Sequence, residues 1–139
     1  MASVKQFQVT FDCTEPERVA RFWCEVLGYV VPPPPEGFST WDDFDRALPP
    51  ERQGSAFACI DPSGVGPRLF FQRVPEGKVV KNRLHLDLAP SGCDQREELD
   101  RLLALGARRV DIGQGNAGWV VLADPEGNEF CLLAHRADR

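Results

Sequence analysis

Two residues of this chain are spaced for chemistry: His85 and Asp87, in the stretch Asn82-Arg83-Leu84-His85-Leu86-Asp87-Leu88-Ala89. On a strand, positions two apart share a face, so the imidazole and the carboxylate stand side by side while Leu84, Leu86 and Leu88 fill the other face. Such a pair can pass a proton, with the carboxylate orienting the ring, or take part in holding a divalent cation. Two settings satisfy the pattern. In one, the polar face looks into solvent and His85 is a hydrogen-bonded structural residue; in the other, helices cover the leucines and the His face lines a cleft. Trp41 and Trp119 could stack on a ligand or pack against the fold. The second histidine, His135, precedes the tail Arg136-Ala137-Asp138-Arg139 and is expected at the surface.

The elements that must position these residues recur in two halves. Phe7, Val9 and Phe11 alternate with Gln8, Thr10 and Asp12, the pattern of the His85 stretch again. Thr14-Glu15-Pro16-Glu17 has the form of a capping box, with proline tolerated in the first turn. Val19, Phe22, Trp23, Val26 and Leu27 then follow at helical spacing, Gly28 supplies a left-handed exit, and Tyr29 to Val31 opens another strand. In the second half Asp94-Gln95-Arg96-Glu97 is a comparable start, Leu99, Leu102 and Leu103 form the apolar face, and Gly106 is the exit. The distance from Gln8 to Gly28 matches that from His85 to Gly106 within one residue.

The halves also end alike. Ala56 to Ile60 leads through Asp61-Pro62-Ser63-Gly64 to a strand at Leu69 to Val74, and Trp119 to Ala123 leads through Asp124-Pro125-Glu126-Gly127 to Glu129 to Ala134. Asp-Pro-x-Gly between apolar runs is turn chemistry. The expectation is one domain over residues 1–139 of α+β class, made of two tandem β-α-β-β-β modules, about 4–74 and 80–135. Between Pro32 and Gly54 the pattern lapses, since Pro32 to Pro35 and Pro49-Pro50 lack ladder donors. Phe38, Trp41 and Phe44 lie in that stretch, which reads either as a flap over a cleft or as a loop sealing the core edge. The Gly-rich residues 113–118 take its place in the second half.

Composition narrows the function. The 139 residues are 42% hydrophobic and 27% charged, ordinary for one globular domain. A net charge of −5 without a clustered basic face excludes nucleic acid and anionic membranes as expected partners. No apolar run has the length of a membrane span and no secretory segment opens the chain, so a cytoplasmic protein is expected. The five cysteines, Cys13, Cys24, Cys59, Cys93 and Cys131, form no Cys-x-x-Cys pair and read as reduced thiols.

Arg21-Phe22-Trp23-Cys24-Glu25-Val26-Leu27-Gly28 after the first strand, His85 opening the second half, and Asp124-Pro125-Glu126-Gly127-Asn128-Glu129-Phe130 near the end resemble the vicinal oxygen chelate superfamily. This is the fold of glyoxalase I, extradiol dioxygenases, and bleomycin- and fosfomycin-resistance proteins, and the chain is most similar to short glyoxalase-like members. The resemblance implies a cupped, mostly antiparallel mixed sheet with helices on its outer face. It implies metal ligands on the first and last strands of the modules, which fall here on Gln8, His85 and Cys131. Gln72 is the polar candidate on the strand closing the first module. Cys131 and Gln72 both stand where a carboxylate is more usual, and Cys131 reads equally as a buried small apolar residue.

Strand parity then makes Gln8, Thr10, Asp12, Gln72, His85, Asp87 and Cys131 the expected cavity lining. The resemblance implies a divalent metal (Zn, Fe, Mn or Ni), with the thiol suiting zinc. It also implies a homodimer and a small-molecule ligand. One expectation is an enzyme acting on a small oxygenated molecule by lyase, isomerase or dioxygenase chemistry, with His85 and Asp87 catalytic and Thr10, Trp41, Gln72 and Trp119 on the substrate. The alternative is a non-catalytic protein that sequesters a small molecule, as antibiotic-binding relatives do.

Overall fold

The computed structural model describes residues 3–115 and 117–135; the opening Met-Ala, Asn116 of the Gly-rich loop and the 136–139 tail lie outside the described residues. The chain divides into two compact units, one up to Gly77 and one from Lys78.

The first unit contains β1 (Gln8–Cys13), α1 (Pro16–Leu27), α2 (Trp41–Arg46), a 3₁₀ turn (Pro50–Arg52), β2 (Ala56–Cys59) and β3 (Arg68–Arg73). Its sheet has the order β1-β3-β2, with β1 parallel and β2 antiparallel to β3. The alternation in β1 is real: Gln8, Thr10 and Asp12 are exposed, and Phe11 stacks on Phe71 with ring centroids 4.8 Å apart and meets Trp23 of α1 at 5.4 Å. Val19, Ala20, Phe22, Trp23 and Val26 of α1 are buried, with Leu69 and Phe71 of β3. Each fully buried large side chain contributes about 1.5–3 kcal/mol, so this apolar seam is the main term holding α1 to the sheet.

Two local expectations are corrected here. The start of α1 is capped by Glu15, not Thr14, and has no side-chain cap bond. Pro16 disfavours helical dihedrals in the residue before it, which fixes Glu15 as the boundary and leaves the Thr14 hydroxyl one position out of register. The strand expected at Tyr29 to Val31 shrinks to a single bridge, Val30 with Ile60, because the prolines that follow cannot extend a ladder. Gly28 does leave the helix in the left-handed conformation, with φ of 73°.

The second unit contains β4 (Asp87–Leu88), α3 (Gln95–Leu105), β5 (Arg108–Arg109), β6 (Val120–Ala123) and β7 (Glu129–Leu132), in the sheet order β4-β7-β6-β5. Asp94 caps α3 as read, its carboxylate accepting the Glu97 amide at 2.8 Å. The plan is that of the first unit: the opening strand lies parallel beside the last, the third follows antiparallel, and the Val30 bridge stands where β5 does. The α+β class therefore holds, with the β-α-β-β-β order complete in the second half and its second strand reduced to the Val30 bridge in the first.

The strand read at Asn82 to Ala89 is much shorter than expected, and Leu84 is 88% exposed instead of facing a helix. The register explains this. Asp87 lies opposite Cys131, which puts His85 opposite Glu129, the first residue of β7, so earlier residues have no partner strand there. Side chains hold them instead: the Glu129 carboxylate accepts from the Asn82 amide at 2.9 Å and from the Lys78 ammonium at 3.0 Å. The β6–β7 turn is built on Asp124, a fully buried carboxylate that accepts the Glu126 and Asn128 amides. Among the described residues no helix is long and apolar enough to cross a membrane.

Candidate functional site

The parallel register of β4 and β7 sets Cys131 beside Asp87, and the two-residue strand period brings in His85. His85 Nε2 and Asp87 Oδ1 are 3.1 Å apart, and one ligand atom each from His85, Asp87 and Cys131 lie within 4.8 Å of one another. The His85 and Asp87 side chains are 38% and 52% exposed, and Cys131 only 5%. The cluster is thus open on its His–Asp side and closed behind the sulfur. Burial pushes the Cys131 thiol up, and so do the charge of Asp87 and the hydrogen bond the thiol donates to it; Lys81 opposes.

The donor set does fit a divalent cation. An imidazole nitrogen, a carboxylate oxygen and a sulfur, with solvent access on one side, is the composition of a zinc-type site with an open position. It is a worse match to Mg or Mn, which favour oxygen alone. Asp87, expected as a partner to the ring, contributes to the donor set itself.

Gln8, Thr10, Asp12 and Gln72 occupy the polar sheet face of the first unit. Gln8 Oε1 accepts from the Arg68 guanidinium at 2.9 Å, and Gln8 Nε2 points to Thr10 Oγ1 at 3.4 Å. Gln72 donates to Asp12 Oδ1 at 2.8 Å. The Arg68 guanidinium also lies 5.3 Å from the Phe70 ring centroid. Gln8 and Gln72 are therefore hydrogen-bonded within this unit, and Arg68, which claims the Gln8 oxygen, is a residue the sequence reading missed. Only the pairing of Gln8 with Arg68 across β1 and β3 reveals it, and a register between strands sixty residues apart leaves no local signal.

Residues 32–54 form an ordered flap. Thr40 caps α2 by accepting the Asp43 amide, and Trp41 Nε1 donates to the Pro32 carbonyl at 2.7 Å. Trp41 meets Phe44 edge-on at 5.7 Å and Phe57 of β2 at 6.1 Å, while Phe38 packs on Phe44. Under them lies a cavity of about 320 Å³ walled by Trp41, Phe44, Leu48, Phe57 and Phe70, with Arg52, Arg68 and Asp42 among its polar lining. The flap thus does cover a cleft. Of the four residues expected on a substrate, Trp41 lines this cavity. Thr10 and Gln72 stand outside its wall, and Trp119 is 46% exposed just before β6. The Thr40-x-x-Asp43 cap and the Trp41-x-x-Phe44 spacing were the available signals for α2.

Residues 8–133 match the family described as a glyoxalase-like domain. No curated protein matches the chain. Among solved structures, the chain resembles the fosfomycin resistance protein FosX of Listeria monocytogenes, determined with Mn(II) and a dihydroxypropylphosphonic acid. The TM-score is 0.65 at 13% identity, covering 98% of this chain and 95% of that one. Protein ATC0852 of Agrobacterium tumefaciens gives 0.61 at 14% identity over 97% and 100%. A glyoxalase/bleomycin resistance protein/dioxygenase family enzyme of Burkholderia phytofirmans gives 0.52 at 16% over 90% and 94%. At such identities the likeness is one of fold.

Proposed function

Because the chain belongs to the glyoxalase-like domain family, of the vicinal oxygen chelate superfamily, we propose that it is a metal-assisted enzyme of lyase, isomerase or dioxygenase type acting on a small oxygenated molecule. The observation that carries this reading is the convergence of His85, Asp87 and Cys131. These three would hold a divalent cation of zinc type, which when bound supplies Lewis-acid polarisation of neighbouring substrate oxygens. Asp87 lies beside the His85 ring and accepts from the Cys131 thiol, so it can orient the imidazole. His85, more than a third exposed, is the group able to reach a substrate.

The experiment is metal analysis of purified protein with zinc titration of wild type and His85→Ala. Zinc bound by wild type and weakened at least tenfold in the variant, with little change in melting temperature, is the expected result, because an exposed ring supports little packing. Wild-type protein that takes up none of Zn, Fe, Mn or Ni would overturn the reading.

The flap cavity favours a second one, sequestration of a small molecule without chemistry, since aromatic walls with a few charged groups are what such a site needs. A compound that raises the melting temperature of wild type and His85→Ala equally would support it. A reducing, cytoplasmic setting accords with the five free thiols.

A further inference from the structure

Away from the His85 cluster and the flap cavity, two sulfurs meet between α1 and the end of β2. Cys24 is on the last turn of α1 and half-buried; Cys59 closes β2 and is fully buried. Backbone bonds set both in place. The Cys24 carbonyl accepts the Tyr29 amide at 3.0 Å, and Val30 then exchanges bonds of 2.9 and 2.8 Å with Ile60, the residue after Cys59. The register sends the Cys59 side chain to the face shared by Leu69 and Val9, and its thiol is hydrogen-bonded to that of Cys24. One turn before Cys24, the Arg21 guanidinium lies 5.3 Å from the Phe57 ring centroid, so a cation flanks the pair.

The two thiols are unequal. The hydrogen bond from Cys59 holds Cys24 below its ordinary value, with Arg21 helping while burial and Glu25 oppose. The same bond, burial and the Cys24 charge push Cys59 far up. Cys24 is the sulfur that solvent reaches and Cys59 the one packed behind it, so Cys24 is first to meet a small oxidant and Cys59 is placed to close a link to it.

We propose that Cys24 and Cys59 are a peroxide-responsive dithiol, a modification site that closes to a disulfide between α1 and β2. The Cys24 thiolate attacks one oxygen of a small hydroperoxide; the O–O bond breaks, the alcohol or water leaves with a proton, and Cys24 becomes a sulfenic acid. The Cys59 sulfur then attacks that sulfur, the S–O bond breaks, and hydroxide leaves with the Cys59 proton as water. Two thiols lose two electrons, the peroxide gains them, and a thiol reductant reverses the bond by exchange. The closed loop runs from Cys24 to Cys59 and contains the entire flap, so oxidation ties α1 to the strand that carries Phe57 of the cavity wall. Cross-linking a loop restricts the unfolded chain, and the oxidised form should melt several degrees higher.

The test treats the wild-type protein with a slight excess of hydrogen peroxide, counts free thiols and maps the linked peptides. Loss of two of the five thiols, a Cys24–Cys59 peptide, and recovery with dithiothreitol are expected. A link between other cysteines, or oxidation of Cys24 to the sulfinic acid without a link, overturns the proposal. In Cys59→Ala, dimedone should trap a sulfenic acid on Cys24. Should that buried substitution prevent folding, Cys24→Ser at the half-buried position decides: it should abolish the rapid thiol loss, and loss at the wild-type rate is the contrary result.

Discussion

Asp87 has two neighbours of different kinds, the His85 ring at 3.1 Å and the Cys131 thiol that donates to it. Removing its charge while keeping its shape separates the causes that raise Cys131. In Asp87→Asn the contribution of burial stays and that of the carboxylate goes, so the Cys131 thiol should titrate at lower pH than in wild type, read from its thiolate absorbance. An unchanged titration would mean that burial alone sets it. His85 and Asp87 were legible because a spacing of two is itself a statement about a strand face. Cys131 was legible only through its place in the repeat, since nothing local separates a buried thiol from a ligand. The bond between Gln8 and Arg68 could not be read at all, because it exists only once β1 and β3 are aligned.

Among the elements, the flap is where pattern reading stopped short. Its prolines correctly excluded a strand, but the short helix they frame is held by Trp41 on Phe44, Phe57 and the Pro32 carbonyl, contacts made only in the folded chain. Trp41→Ala should therefore cost about 2 kcal/mol, less than a fully buried tryptophan, and speed amide exchange in Trp41–Arg46 above that in α1. Equal protection in the variant and the wild type would show that α2 stands without the ring.

The Lys78–Glu129–Asn82 clamp is a second element-scale device, and its pH dependence has a definite sign. Burial alone would raise the Glu129 carboxyl, but the Asn82 amide and the Lys78 ammonium outweigh it and the group is lowered on folding. A lowered carboxylate stabilises fully above its ordinary value of 4.5, and this contribution is lost as pH falls through the folded value. Acid unfolding of the second unit, followed through Trp119, its one tryptophan, should be less steep in Glu129→Gln. The same variant should also be less stable at neutral pH, by on the order of 1–3 kcal/mol.

At the scale of the molecule, the clamp leaves Val79, Val80 and Leu84 at 91%, 76% and 88% exposure. Large apolar side chains in one exposed stretch are a reason to expect association, and light scattering should return a homodimer that Leu84→Glu shifts towards monomer. A wild-type monomer at micromolar concentration would remove that expectation. The feature with the widest reach is the parallel pairing of first strand with last in both units. A strand that leaves the ribosome first has no neighbour until its unit is nearly finished, so neither sheet can close stepwise as the chain emerges. In the second unit this reaches the candidate site, because His85 and Asp87 precede most of that unit and Cys131 lies on its last strand. The three side chains come together only when β7 docks, so completion of the sheet and assembly of the candidate cluster are a single event.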